Sequence, residues 1–140
     1  MHKNMINIES QNAPEPVGAY PHAKRIGNLL FLSGIGPREK GKNEIPGVEL
    51  DQNGDIISYD IEIQCHSVFT NVRTILEDAE SNWNNLVDIT VFLTNMKDDF
   101  NIYNQVYAEY FQDNQPCRTT VGISSLPTPI AIELKCIATI

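Results

Sequence analysis

The chain has 140 residues, 41% of them apolar and 20% charged, a balance that fits one globular domain with a sizeable core and leaves little room for a second. Ten basic against 18 acidic residues give a net charge of −8, which repels phosphate backbones and argues against a broad nucleic-acid footprint. No apolar run approaches the roughly 18 to 20 residues of a membrane-crossing helix, and three cysteines without Cys-x-x-Cys spacing read as reduced packing residues.

Residues 1–13 read as a flexible polar segment without the apolar core of a secretory signal, which predicts a cytoplasmic protein with one domain over residues 14–140. Asn12-Ala13-Pro14-Glu15-Pro16-Val17-Gly18 is expected to be extended and irregular, because two prolines and a glycine suppress helix. Residues 22–26 and 29–33, separated by Gly27-Asn28, predict a hairpin that Gly34-Ile35-Gly36-Pro37 ends. Residues 38–57 carry Pro46-Gly47 and Asp51-Gln52-Asn53-Gly54-Asp55 and are expected to be one long loop. Loops of that length in compact domains tend to serve a site.

From Asp60 the apolar residues Ile61, Cys65, Val68, Phe69, Val72, Ile75, Leu76 and Ala79 recur at helical spacing, with Ser58 or Asp60 as the cap. Residues 86–93 alternate as a strand. Asp98 or Asp99 is then expected to cap a second amphipathic helix bearing Phe100, Tyr103, Val106, Tyr107, Tyr110 and Phe111. In the last segment Ile130, Ile132, Leu134, Cys136, Ala138 and Ile140 form one strand face, and Glu133 and Lys135 fall on the other. In the strand before it, Arg118, Thr120 and Gly122 alternate with Thr119, Val121 and Ile123. If these two strands pair, Arg118 and Glu133 share a polar face, as a structural ion pair or as parts of a site.

The element order is thus β-β-α-β-α-β-β, an α+β arrangement whose helices cover one face of the sheet. Arg118, Thr120, Glu133 and Lys135 are expected on the uncovered face, where a ring of subunits packing sheet to sheet would make clefts.

Other motifs carry little. Asp51-x-Asn53-x-Asp55 with Glu62 imitates a calcium loop, but Ile56 stands where its sharp turn needs glycine. The histidines and cysteines never fall at zinc-ligand spacing, and Gly34-x-Gly36 precedes no helix that could cradle a phosphate. His22, beside Tyr20, is a candidate ligand contact or an ordinary hairpin residue. Tyr20, Ser33 and Asn104 each pass singly as structural residues.

Together, Val17-Gly18-Ala19-Tyr20, Leu32-Ser33-Gly34, Asn71-Val72-Arg73, Thr90-Val91-Phe92-Leu93, Tyr103-Asn104-x-x-Tyr107, Pro116-x-Arg118-Thr119 and Ile132-Glu133 resemble the YjgF/YER057c/UK114 family, also called the RidA family. The resemblance implies a chorismate-mutase-like homotrimer with clefts between subunits, and cofactor-free, metal-free hydrolysis of enamines or imines derived from amino acids. It also implies roles: Arg118 as carboxylate anchor, Glu133 as the group that positions or deprotonates water, and Tyr20, Ser33 and Asn104 as pocket neighbours. Ile35 replaces a frequent Gln, and Thr120 a frequent Cys, which implies a retuned pocket.

Gly34-Ile35-Gly36-Pro37-Arg38-Glu39, Ile45-Pro46-Gly47-Val48 and the run from Leu126 to Glu133 look like the 2-aminomuconate deaminase branch. A substrate with a carboxylate at each end asks for a second cation. Arg38 is the candidate, against a solvated loop arginine. The alternatives are a general 2-iminobutanoate or 2-iminopropanoate deaminase, a ribonuclease or translation-inhibiting RNA binder, and a small-ligand sensor.

Overall fold

Alternating side chains build the main sheet in the computed structural model, which describes residues 4–140. Its strands are β1 (Met5–Ile8), β2 (Ala23–Ile26), β3 (Leu29–Leu32), β6 (Leu86–Leu93), β7 (Cys117–Gly122) and β8 (Ile132–Thr139). They lie in the order β1-β2-β3-β8-β6-β7, antiparallel except for the parallel β6–β7 pair. The C-terminal strand therefore sits inside the sheet, and its Leu134, Cys136 and Ala138 are fully buried.

Helices α1 (Ile61–Asp78) and α2 (Met96–Tyr110) cover one face. The Asp60 side chain caps α1 by accepting from the Ile63 amide at 3.1 Å. Val68, Phe69, Val72, Ile75 and Leu76, all fully buried, form the stripe that meets the sheet. Tyr103, Tyr107 and Phe111 of the second helical region pack with Phe69 and Trp83 in an aromatic cluster behind it. These two helices on a mixed sheet make the expected α+β, chorismate-mutase-like fold.

Three local expectations are corrected. The flexible segment instead contributes β1, which pairs with β2 from Met5 opposite Ile26 to Ile8 opposite Ala23, while Ser10 and Ala13 are buried. Residues 1–3 of that segment lie outside the described residues. The long loop holds a second hairpin, β4 (Val48–Leu50) with β5 (Ile56–Tyr59), turned by Asp51, whose side chain accepts from the Asn53 and Asp55 amides at 2.8 and 3.0 Å. Three- and four-residue strands are too short for alternation to mark them.

The cap of α2 is Asn95, which accepts from the Asp98 amide at 3.1 Å, so neither aspartate does that job. Asp99, 5% exposed, instead accepts the Tyr59 hydroxyl at 2.6 Å and ties the small hairpin to α2. Desolvation raises the Asp99 pKa, and burial with the adjacent carboxylate pushes Tyr59 up to about 12. Tyr59→Phe leaves that buried carboxylate without its donor and is expected to cost about 1–3 kcal/mol. Denaturant unfolding at neutral pH measures it, and an unshifted midpoint would show that water replaces the phenol without loss.

The strand order also decides where Arg118 and Glu133 lie. Strand β6 separates β7 from β8, with Ile89 opposite both Arg118 and Cys136, and Phe92 opposite Glu133. Bridge partners point to the same side, so Arg118 and Thr120 share the helix-covered face with buried Ile89 and Val91. Glu133 and Lys135 point to the uncovered face. The expectation that all four share one surface is therefore overturned. Two strand spacings and three residues of rise put the two Cα atoms about 14 Å apart within one chain.

Candidate active site

Glu133 owes its surroundings to a glycine. Ile35 bridges Leu134 by two backbone hydrogen bonds of 2.8 Å, which lays residues 34–36 against β8. A Cβ on Gly34 would stand 2.8 Å from Glu133 Oε2, closer than carbon and oxygen tolerate, so only glycine leaves the carboxylate its place. Glu133 is half-buried, and that burial raises its pKa. Its carboxylate makes no hydrogen bond or ion pair with any described residue. Lys135, two residues along the same face, gives its ammonium to the Leu32 carbonyl instead.

Gly34 also lines a small hollow, open to solvent, whose walls include Pro14, Pro16, Tyr20, His22, Ser33 and Arg38. Four of the residues singled out in the sequence thus converge. Ser33 Oγ donates to the Pro21 carbonyl at 2.6 Å, which points the hydroxyl along the wall and leaves its lone pairs open. The Tyr20 hydroxyl accepts from the Val17 amide at 3.2 Å and closes the preceding turn.

His22 is 3% exposed, with Nδ1 at 3.0 Å from the Ser10 amide and Nε2 at 2.8 Å from the Pro14 carbonyl. Both ring nitrogens are therefore committed to backbone. His22 is a strut for the proline strap that walls the hollow, and the reading of it as a substrate contact is replaced by this role.

Arg38 is held from below. Ser67 Oγ donates to the Pro37 carbonyl at 2.8 Å, and Asn71 Nδ2 donates to the Gly36 and Arg38 carbonyls at 2.9 and 2.7 Å. One arm of the Arg38 guanidinium reaches the Glu15 carbonyl at 2.7 Å, and the other donors stay available. Gln64, fully buried, similarly bridges the Pro46 carbonyl and the Ala131 amide at 2.8 Å each, fixing the start of β8. Sequence reasoning missed Gln64 and Ser67, and it quoted Asn71 in a motif without giving it a role. The signal was polar residues at inward positions of an otherwise apolar helix stripe, where an unpaired amide would be costly.

Arg118, Asn104 and Thr120 form a second group at the β7 edge. Arg118 donates to Asn104 Oδ1 at 2.8 Å, and its guanidinium lies 4.6 Å from the Tyr107 ring centre and 5.4 Å from that of Tyr103. It has no carboxylate partner among the described residues. Thr120 Oγ1 lies 2.9 Å from the Tyr103 hydroxyl. Arg118 and Glu133 are thus not an ion pair: each charge is left open, on opposite sides of one sheet. The ionic alternative for this pair is excluded by the topology itself.

No cysteine competes as a nucleophile in the core, since burial pushes the Cys65 and Cys136 thiols up to about 12. Among the described residues no His, Cys, Asp and Glu cluster could hold a metal, and no helix is long and apolar enough to cross a membrane.

A family profile described as Endoribonuclease L-PSP matches residues 10–140. A RutC family protein of Pyrococcus horikoshii is 37% identical over 131 residues, 94% of each chain. The Arabidopsis thaliana protein named Reactive Intermediate Deaminase A, chloroplastic, is 32% identical over 95% of this chain and 65% of its own. The crystal structure of Escherichia coli TdcF with bound serine superposes with a TM-score of 0.83 at 29% identity, covering 96% of this chain and 98% of its own. The match runs from the strap that walls the hollow through both open charges to the last strand, and the chain belongs to the RidA/YjgF family, the family of the endoribonuclease L-PSP profile.

Proposed function

We propose that this chain is a hydrolytic deaminase of enamines and imines derived from amino acids. The observation that carries the reading is the unpaired, half-buried Glu133 carboxylate packed against Gly34, a residue that also lines the hollow. A relative named for reactive intermediate deamination and another crystallised with serine agree with a small amino-acid-derived ligand. The enamine tautomerises to an imine, and Glu133 takes a proton from water as it adds to the imine carbon. Glu133 returns that proton to the nitrogen to give the carbinolamine, whose hydroxyl proton then passes to the same nitrogen by way of the carboxylate as the C–N bond breaks, releasing ammonia and a 2-oxo acid.

Arg118 anchors the substrate carboxylate through its planar fork. Because Arg118 and Glu133 lie on opposite faces some 14 Å apart, a small substrate reaches both only if the arginine comes from a second copy. A homotrimer with three such clefts is the assembly we propose, its subunits meeting on the uncovered sheet face. The proposed setting is the cytoplasm, with no cofactor.

Within this class we propose 2-aminomuconate as the substrate, with Arg38, which lines the hollow at Gly34, taking its distal carboxylate. Ammonia release from 2-aminomuconate and from a short 2-imino monocarboxylate tests both levels. Arg38→Ala is expected to raise KM for the dicarboxylate about tenfold or more while sparing the short substrate. Equal losses on both would remove the distal anchor, and wild-type turnover of the short substrate alone would favour the general 2-imino acid deaminase.

Gly34→Ala pushes the Glu133 carboxylate aside by a few tenths of an ångström and is expected to lower kcat several-fold. Steady-state kinetics on a variant that melts like the wild type measures it.

The profile's description keeps a ribonuclease reading in view. Against it, Lys40 and Lys42 are paired with Glu15 and Glu39, so the loop's basic residues form no open stripe. RNA cleavage unaffected by Glu133→Ala would overturn the deaminase reading.

A further inference from the structure

The hydroxyl pair beside Arg118 has a direction. Tyr103 is fully buried, and its hydroxyl lies 2.9 Å from Thr120 Oγ1, either atom being able to donate. The Arg118 guanidinium decides between them. It lies over the Tyr103 ring, 5.4 Å from its centre, and can only donate. Burial raises the Tyr103 pKa, and the Thr120 hydrogen bond and then the Arg118 charge, which acts on the phenol oxygen, oppose that rise. A phenol beside a cation turns its hydrogen away, so Tyr103 donates to Thr120 and Thr120 accepts.

That order frees the Thr120 proton. Thr120 stands two residues from Arg118 on the same face of the edge strand and is only partly buried, while Tyr103 is closed off behind it. Asn104 takes one arm of the guanidinium, and no carboxylate among the described residues takes the others. Tyr107, whose ring centre is 4.6 Å from the guanidinium carbon, supplies the floor.

We propose that Tyr103 is a positioning residue that polarises the Thr120 hydroxyl outward, making Thr120 a second donor to the carboxylate that Arg118 holds. This deepens the function proposed above and rests on it. The contact selects carboxylates and adds nothing to water activation. Its signature is therefore in substrate binding, with kcat unchanged. Because Tyr103 acts only through Thr120, losing both hydroxyls costs no more than losing the threonine's alone.

The experiment measures KM and kcat for Tyr103→Phe, Thr120→Val, Thr120→Ser and the Tyr103→Phe/Thr120→Val double variant on a 2-imino monocarboxylate. Binding of pyruvate, a 2-oxo acid, is followed in parallel by calorimetry. Phe keeps the ring under Arg118, and Val keeps the threonine's shape. Tyr103→Phe and Thr120→Val are each expected to raise KM and the pyruvate Kd about five- to tenfold at constant kcat, with Thr120→Ser near wild type. The double variant should match Thr120→Val, the non-additive result for two groups in one chain of action. Additive losses, or a Tyr103→Phe variant with wild-type KM and Kd, overturn the positioning role and leave the deaminase reading standing. A wild-type protein that neither turns over the imine nor binds pyruvate overturns both.

Discussion

Glu133→Gln should release ammonia about 10²- to 10⁴-fold more slowly than the wild type, the range over which general bases act. The amide keeps the size and half-buried setting of the carboxylate but cannot take a proton from water. KM should change little if, as proposed, Arg118 and not Glu133 holds the substrate carboxylate. Burial raises the Glu133 pKa above the ordinary 4.5, so the acid limb of kcat/KM is expected above that value and should be absent from the variant.

The same burial has an opposite effect on stability. A carboxylate whose folded pKa lies above its unfolded one favours the folded chain when protonated. That contribution is complete below the unfolded pKa and is lost as pH rises through the folded one. At pH 7 to 8 the wild type therefore carries an ionised, desolvated group without a partner, and Glu133→Gln should melt at a higher temperature. Loss of rate together with a gain in Tm is the pattern of a charge kept for chemistry. A variant with unchanged rate would reassign the base.

Arg118→Ala should abolish measurable turnover of carboxylate-bearing imines, and Arg118→Lys should recover little. Lysine lacks the planar fork, and its ammonium cannot spread over the Tyr103 and Tyr107 rings while bonding Asn104. The sharper experiment mixes two inactive proteins. If each cleft takes Glu133 from one copy and Arg118 from another, co-refolding Arg118→Ala with Glu133→Gln chains in equal amounts rebuilds clefts that have both groups. Random assortment makes about a quarter of the clefts intact, half times half, in a closed ring of like subunits. Activity near about a quarter of wild type after mixing, from two nearly silent parents, supports the shared cleft. No recovery after verified subunit exchange would sink it.

Much of the fold is legible in the residue pattern. The stripe from Ile61 to Leu76 and the alternation from Leu86 to Leu93 appear where periodicity puts them, because each is long enough to repeat its period several times. The β4–β5 hairpin and β1 are not, since three or four residues cannot separate a strand from a loop. Asn95 outcompetes Asp98 and Asp99 as a cap because a cap is decided by backbone geometry one turn wide. Tyr20, His22, Ser33 and Arg38, which line one hollow, were each named from the sequence one by one. His22, though, proved a strut, and Asn104 a partner of Arg118.

By itself the sequence determined that Arg118 and Glu133 each stand apart from their strand's apolar neighbours, and that two helices and a set of strands share one core. A period of two says which side chains share a face of one strand. It does not say which strand lies beside it, or which face the helices take. Those follow from long-range pairing: the insertion of β6 between β7 and β8 turns the two charges to opposite sides of the sheet. Only the tertiary structure decided that the open cation and the open carboxylate of one chain cannot meet on a single small substrate, because two strand spacings and the sheet itself stand between them.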